Sequence, residues 1–183
     1  MTTFAGELRE AIFSRVSLLR GFAKYRKTST PQLQPTDLPC VTVAIVSEAD
    51  SPDGDGNVGA IAFICDATIG VSVVRGFKDP DELECRVDRD IGLIRTKLFT
   101  DPTFVHFEPD TIFEEITQVT TRRVRSQDGE TYFCEGRMEI TFRRREVFEP
   151  VIPDDYEGMT VRVRPLQNPD APIITAHWDV SAE

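Results

Sequence analysis

The chain has 183 residues, 40% of them hydrophobic, which is enough to bury a core without metals or disulfides. A net charge of −10 excludes a general affinity for nucleic acid or anionic lipid and leaves only binding through a local basic patch. The cysteines at 40, 65, 85 and 134 form no CxxC pair, so zinc ribbons and thioredoxin-type redox sites lack their spacing.

The first residues predict an amphipathic helix. Leu8, Ile12, Val16 and Leu19 recur at near-helical spacing, Glu7, Arg9, Glu10 and Arg15 take the other faces, Thr2 or Thr3 caps it and Gly21 ends it. The same charges interrupt any signal-peptide pattern, and no apolar run is long enough to span a bilayer. Lys24-Tyr25-Arg26-Lys27 and the stretch Thr28 to Pro39, punctuated by Pro31, Pro35 and Pro39, read as loop. Cys40 to Val46 predicts a short strand, and the acidic, Gly-rich run Ser51 to Gly59 a flexible connection. From Ala60 to Gly76 the alternation of Ile61, Phe63, Cys65, Ala67, Ile69, Val71 and Val73 predicts a long strand region that Gly70 breaks or bends.

A second helix follows. Asp79 is its N-cap, Pro80 suits the first helical position and Glu82 completes a capping-box-like spacing. Leu83, Val87, Ile91, Ile94 and Leu98 form one stripe, Asp81, Glu82 and Glu84 open the helix, Arg95 and Lys97 close it, and Asp101-Pro102 stops it. Ile112 to Arg125 predicts a strand, Gln127-Asp128-Gly129 a turn, and Thr131 to Val147 a strand with Met138, Ile140 and Phe142 on one face. Without repeating βαβ alternation the class is α+β, a mostly antiparallel sheet packed by two helices. From Pro150 prolines punctuate two short extended stretches, Thr160 to Arg164 and Ile173 to Val180. We therefore divide the chain into a domain over 1–150 and a C-terminal arm or extra hairpin over 151–183.

Catalytic and ligand-binding patterns are sparse. Gly54-Asp55-Gly56-Asn57-Val58-Gly59 matches GxGxxG literally, but a strand follows it and Asp53 and Asp55 repel phosphate, so it reads as a loop. Asp53, Asp55 and Asn57 have calcium-loop spacing, but Val58 and Ile64 stand where glycine and glutamate belong. The two histidines, His106 and His177, form no HxxxH or HExxH pair and read as packing or surface residues. Glu114 and Glu115 face opposite sides of a strand and make no dyad. The expectation is no enzyme activity, no cofactor and no metal.

The basic residues are segregated: Arg20, Lys24, Arg26 and Lys27 after the first helix, Arg122, Arg123 and Arg125 on one strand, Arg143, Arg144 and Arg145 on the next. They have three readings: solvated strand ends pairing with local acids, complementarity to an acidic neighbouring subunit such as another copy of this chain, and nucleic-acid binding, for which no aromatic interleaving or recognised motif accompanies the arginines. On the second reading Arg122, Arg123, Arg125, Arg143, Arg144 and Arg145 are the subunit-interface residues.

Four stretches carry a family resemblance: Leu8 to Val16, Asp37-Leu38-Pro39-Cys40-Val41-Thr42-Val43, the helix opened by Phe77-Lys78-Asp79-Pro80-Asp81-Glu82 and running to Phe99-Thr100-Asp101-Pro102, and the arginine-ended strand Gly136 to Arg144. Together they resemble the tail terminator proteins of long-tailed bacteriophages over roughly residues 5 to 150. The resemblance implies a structural virion protein that forms a ring, typically a hexamer, capping the head-proximal end of the tail tube. Its implied partners are itself, the tail tube protein and a head–neck connector, with the genome passing through the lumen and no membrane. Assembly would take place in a host cytoplasm. The chain departs from compact family members in its residues beyond Pro150. Two alternatives stand beside it: a head-completion or neck connector, and a small-ligand-binding or enzymatic α+β domain.

Overall fold

The structure, a computed structural model, describes residues 3–28, 33–54, 61–105 and 111–148 with their side chains, and the backbone of 158–163 and 174–179. The chain divides into two compact units, Met1–Phe148 and Glu149–Glu183.

The first unit is α+β, a five-stranded sheet with helices on one face. Helix α1 (Phe4–Val16) starts where the Thr3 hydroxyl accepts the Gly6 N–H at 3.1 Å. Phe4, Leu8, Ile12 and Val16 are spaced four apart and all buried. The helix ends at Val16, earlier than Leu19 and Gly21 suggested; Gly21, at φ +99°, instead turns the chain beyond it. Strand β1 (Lys24–Arg26) follows, a correction to the loop expected there. It runs parallel to Cys40–Thr42 and turns Tyr25 toward the core, while exposed Lys24 and largely covered Arg26 take the other face, both paired with Asp37.

Strand β2 (Cys40–Pro52) continues six residues past Val46 and takes in Ser51 and Pro52, where a flexible connection was expected; residues 55–60, which hold the rest of that run, lie outside the described residues. Strand β3 (Ile61–Phe77) is one unbroken 17-residue strand. Gly70 does not break it; the irregularity lies on its neighbour, where β2 bulges between Ile45 and Ser47. A Cβ at Gly70 would stand 2.9 Å from the Val46 side chain and 3.4 Å from Arg137, so glycine gives room to the bulge.

Helix α2 (Pro80–Phe99) is capped by the Asp79 carboxylate, which accepts the Asp81 N–H at 3.0 Å. Glu82 does not close a capping box but binds Arg86 one turn on. Asp101-Pro102 ends α2 only to start the one-turn helix α3 (Pro102–Val105), which makes three α-helices among the described residues where two were expected. Strands β4 (Glu115–Asp128) and β5 (Thr131–Phe148) form a hairpin across Gly129, at φ +60°. Ile112 precedes β4 rather than opening it.

The sheet order is β1-β2-β3-β5-β4, with every pair but the first antiparallel. Registration decides the core. Val41 and Val43 of β2, Ala67, Ile69, Val71 and Val73 of β3, and Met138, Ile140 and Phe142 of β5 share rows on the helix side, and all are buried. Burying each valine, isoleucine, methionine or phenylalanine among them contributes about 1.5–3 kcal/mol. Gly136 lies in the same array beneath α2: a Cβ there would come 2.6 Å from Val87 Cγ1. The opposite, outer face carries Asp66, Thr68, Ser72, Arg137, Glu139, Thr141 and Arg143 and is polar.

In the second unit, β6 (Gly158–Val163) and β7 (Ile174–Asp179) pair antiparallel.

Candidate functional site

Strand alternation separates the contiguous arginines. On β4, Arg123 and Arg125 lie in rows with Gly136 and Cys134, the helix side, and reach α2: Arg123 meets Asp88 at 2.6 Å and Arg125 meets Glu84 at 2.5 Å. Arg122 takes the outer side, directly across from Arg137, and has no carboxylate partner among the described residues. Arg137 turns instead to Glu139, at 3.0 Å. On β5, Arg143 is held in two hydrogen bonds by Asp66 on the outer face, at 2.8 and 3.0 Å. Its hydrogen bonding keeps the Asp66 carboxyl below the ordinary range. Arg144 points to the helix side, where it binds Glu7 at 3.0 Å and Glu146, and stacks over the Phe4 ring at 4.4 Å. Arg145 returns outward to Asp53, at 2.5 Å. The six arginines therefore form no single patch, and five of them already have acids within the chain.

Between α1 and the far ends of β2, β3 and β5 lies a cleft of about 600 Å³, lined by Phe4, Glu7, Glu48, Asp50, Cys65 and Arg144 among others. Glu48 accepts the Ala5 N–H at 3.2 Å, so it serves the start of α1. Burial pushes the Cys65 thiol up to about 12, helped by its hydrogen bond to Asp50, so at neutral pH it is a protonated thiol rather than a thiolate nucleophile. Burial also raises Cys40 and Cys134. Only Cys85 of the four free cysteines is exposed.

The geometry that stands out is at the sheet's edges. β1 covers β2 only at Cys40–Thr42, so from Val43 to Pro52 no described strand pairs with the side of β2 opposite β3. β4 is the other outermost strand, unpaired along its outer edge among the described residues. Residues 45–52 and 121–128 are exposed throughout. Each edge presents backbone N–H and C=O groups able to receive another strand. The edges differ in charge: the first carries Glu48 and Asp50, the second Arg122, Arg123 and Arg125. Sequence reasoning found the arginines and missed the two acids, because a polar run on an open edge has no alternation to betray a strand.

Several expectations fall outside the described residues. His106 and most of the GxGxxG and calcium-like run, Asp55 to Gly59, are among them, and only the backbone of His177 is described. Asp53, the first acid of that run, is engaged by Arg145. Among the described residues no group of three or more His, Cys, Asp or Glu is placed to hold a metal ion.

No family model matches the chain, and no curated protein does. Among solved structures, a chain from the virion of a native gene transfer agent particle is similar over 79% of this chain and 100% of its own length, at 13% identity and a TM-score of 0.44.

Proposed function

We propose that the chain is a structural subunit of a phage-like virion that closes as a ring, of about six copies, on the head-proximal end of a tail tube. In that place it would end tube polymerisation and offer a surface to the head–neck connector. The observation that carries this reading is the pair of open, oppositely charged strand edges on one sheet. A ring requires a heterologous interface, two different and complementary patches on each subunit, and this sheet has two such edges. The resemblance to tail terminators supports the same reading. Its four stretches fall in α1, at the start of β2, across α2 and within β5, the elements that build the core.

Arg143 and Arg145 fit a subunit whose outer face is not its main docking surface, since they are spent on Asp66 and Asp53 within the chain. Surface pairs of that kind add little stability, about 0–1 kcal/mol each, but they neutralise charge that would otherwise attract unrelated acidic partners.

The test is to add purified protein to polymerising tail-tube subunits and measure tube lengths by electron microscopy. Shortened tubes with a density at one end are expected; an unchanged length distribution with no bound protein refutes terminator function. Binding to tail-less heads instead of tubes would reassign the chain to the neck.

A further inference from the structure

Resting on the reading of the chain as a self-assembling subunit, we infer that β4 of one copy adds to the open edge of β2 of the next, placing Arg123 opposite Asp50 and Arg125 opposite Glu48. The strand directions allow it. β2 runs antiparallel to β3, β3 to β5 and β5 to β4, so the two edge strands of one sheet run in opposite directions. A head-to-tail continuation therefore joins them as an antiparallel pair.

Sidedness selects the register. Arg123 and Arg125 share rows with Gly136 and Cys134, and Asp50 and Glu48 with Cys65 and Ala67, all on the helix side of the sheet. In a continuous sheet the two arginines and the two carboxylates thus meet on one face, as directly opposed cross-strand pairs. The same register sets Val124, 60% exposed in the single chain, against Ala49 on the outer side. A slip by one residue puts Arg123 on the face opposite the acids and loses both pairs. The unshifted alignment fails too, because it brings Glu115 near Glu48 and Asp50 and runs β4 into β1.

The selected register staggers neighbouring copies. Arg123 lies in the row of Val73 and Asp50 in that of Cys65, eight residues along β3. At about 3.4 Å per residue that is a stagger of about 27 Å. Such a shear inclines the strands to the axis of a closed ring, as in a β-barrel. The existing bonds of Arg123 and Arg125 to α2 do not forbid the pairing, since each guanidinium has five donors and both remain solvent-accessible.

The experiment uses two charge-reversed full-length chains, Arg123→Glu/Arg125→Glu and Glu48→Arg/Asp50→Arg, with mass measured by light scattering. Each alone should remain at single-chain mass at concentrations where the unaltered chain assembles, and a one-to-one mixture should recover the assembled mass. The mixture also controls for folding, because a misfolded variant cannot restore assembly. As an independent probe, Ala49→Cys/Val124→Cys, made with Cys85→Ser, should give disulfide-linked multimers on oxidation. If the unaltered chain assembles but each reversed variant assembles equally well alone, or the mixture stays monomeric, the edge pairing is overturned while the assembly reading survives. An unaltered chain that stays monomeric, with and without tail tubes, overturns both.

Discussion

Replacing Gly136 by alanine tests the packing of α2 on the sheet at its tightest point. The added methyl would stand 2.6 Å from Val87 Cγ1 and 3.1 Å from Ile91 Cγ1, where carbon contacts are comfortable at about 3.5–4.0 Å. Val87 is wholly buried on α2, so it must yield by about 1 Å, and its helix with it. Overpacking of this kind costs about 1–3 kcal/mol, offset by less than about 1 kcal/mol from restricting the unfolded chain. The net expectation is a loss of about 1–2 kcal/mol. With a urea slope of about 2 kcal/mol/M, the unfolding midpoint followed by circular dichroism should fall by about 0.5–1 M with the slope unchanged. Val87→Ala removes the obstructing methyls and should itself cost about 1–2 kcal/mol. Combined, the two changes should cost less than their sum by at least about 0.5 kcal/mol, as expected for residues in contact. A neutral Gly136→Ala, or strict additivity with Val87→Ala, would refute this packing.

Two further predictions concern protons and thiols. The carboxyls of Asp66 and Asp101 are held below their ordinary value of 3.8, first by the Arg143 hydrogen bond and first by the Thr103 hydrogen bond respectively. Their contribution is therefore complete above the unfolded value and lost as pH falls through the lower folded ones. The melting temperature should stay flat from neutrality to about pH 5 and drop below about pH 4, and Asp66→Asn with Asp101→Asn should flatten that drop. An acid slope unchanged in the double variant contradicts the assignment. In native protein at pH 8 an alkylating reagent should label Cys85 alone, while Cys40, Cys65 and Cys134 wait for unfolding. Rapid labelling of more than one thiol would show that the core is more open than described.

Much of the fold was legible in the sequence where burial imposes a period. α2 was marked by Asp79-Pro80 and the stripe Leu83, Val87, Ile91, Ile94, Leu98, all buried. β3 and β5 were marked by alternation, because only their helix side is dry. β1 escaped notice because three residues with one inward side chain, Tyr25, make no pattern, and its pairing partner lies at Cys40–Thr42 across a loop. The outer half of β2 escaped because both of its faces are wet. Nothing in the helix pattern singles out Asp90; the structure buries it and shows it gripping Arg75 from the sheet, with Arg75 Nη2 donating at 3.1 Å. The arginine clusters were visible, but their fate was not. Period-two alternation already implied that Arg123 and Arg125 would share a face. Glu84 and Asp88, one helical turn apart, were the matching acids that would have identified α2 as their neighbour.

The most direct test of the account is the mass of the unaltered full-length chain, measured by native mass spectrometry across a concentration series and again with tail tubes present. The account predicts a discrete closed species at a small multiple of 20.6 kDa, about six copies, that gives way to single chains when the edge charges are reversed. A chain that stays at 20.6 kDa throughout, free and in the presence of tubes, contradicts it.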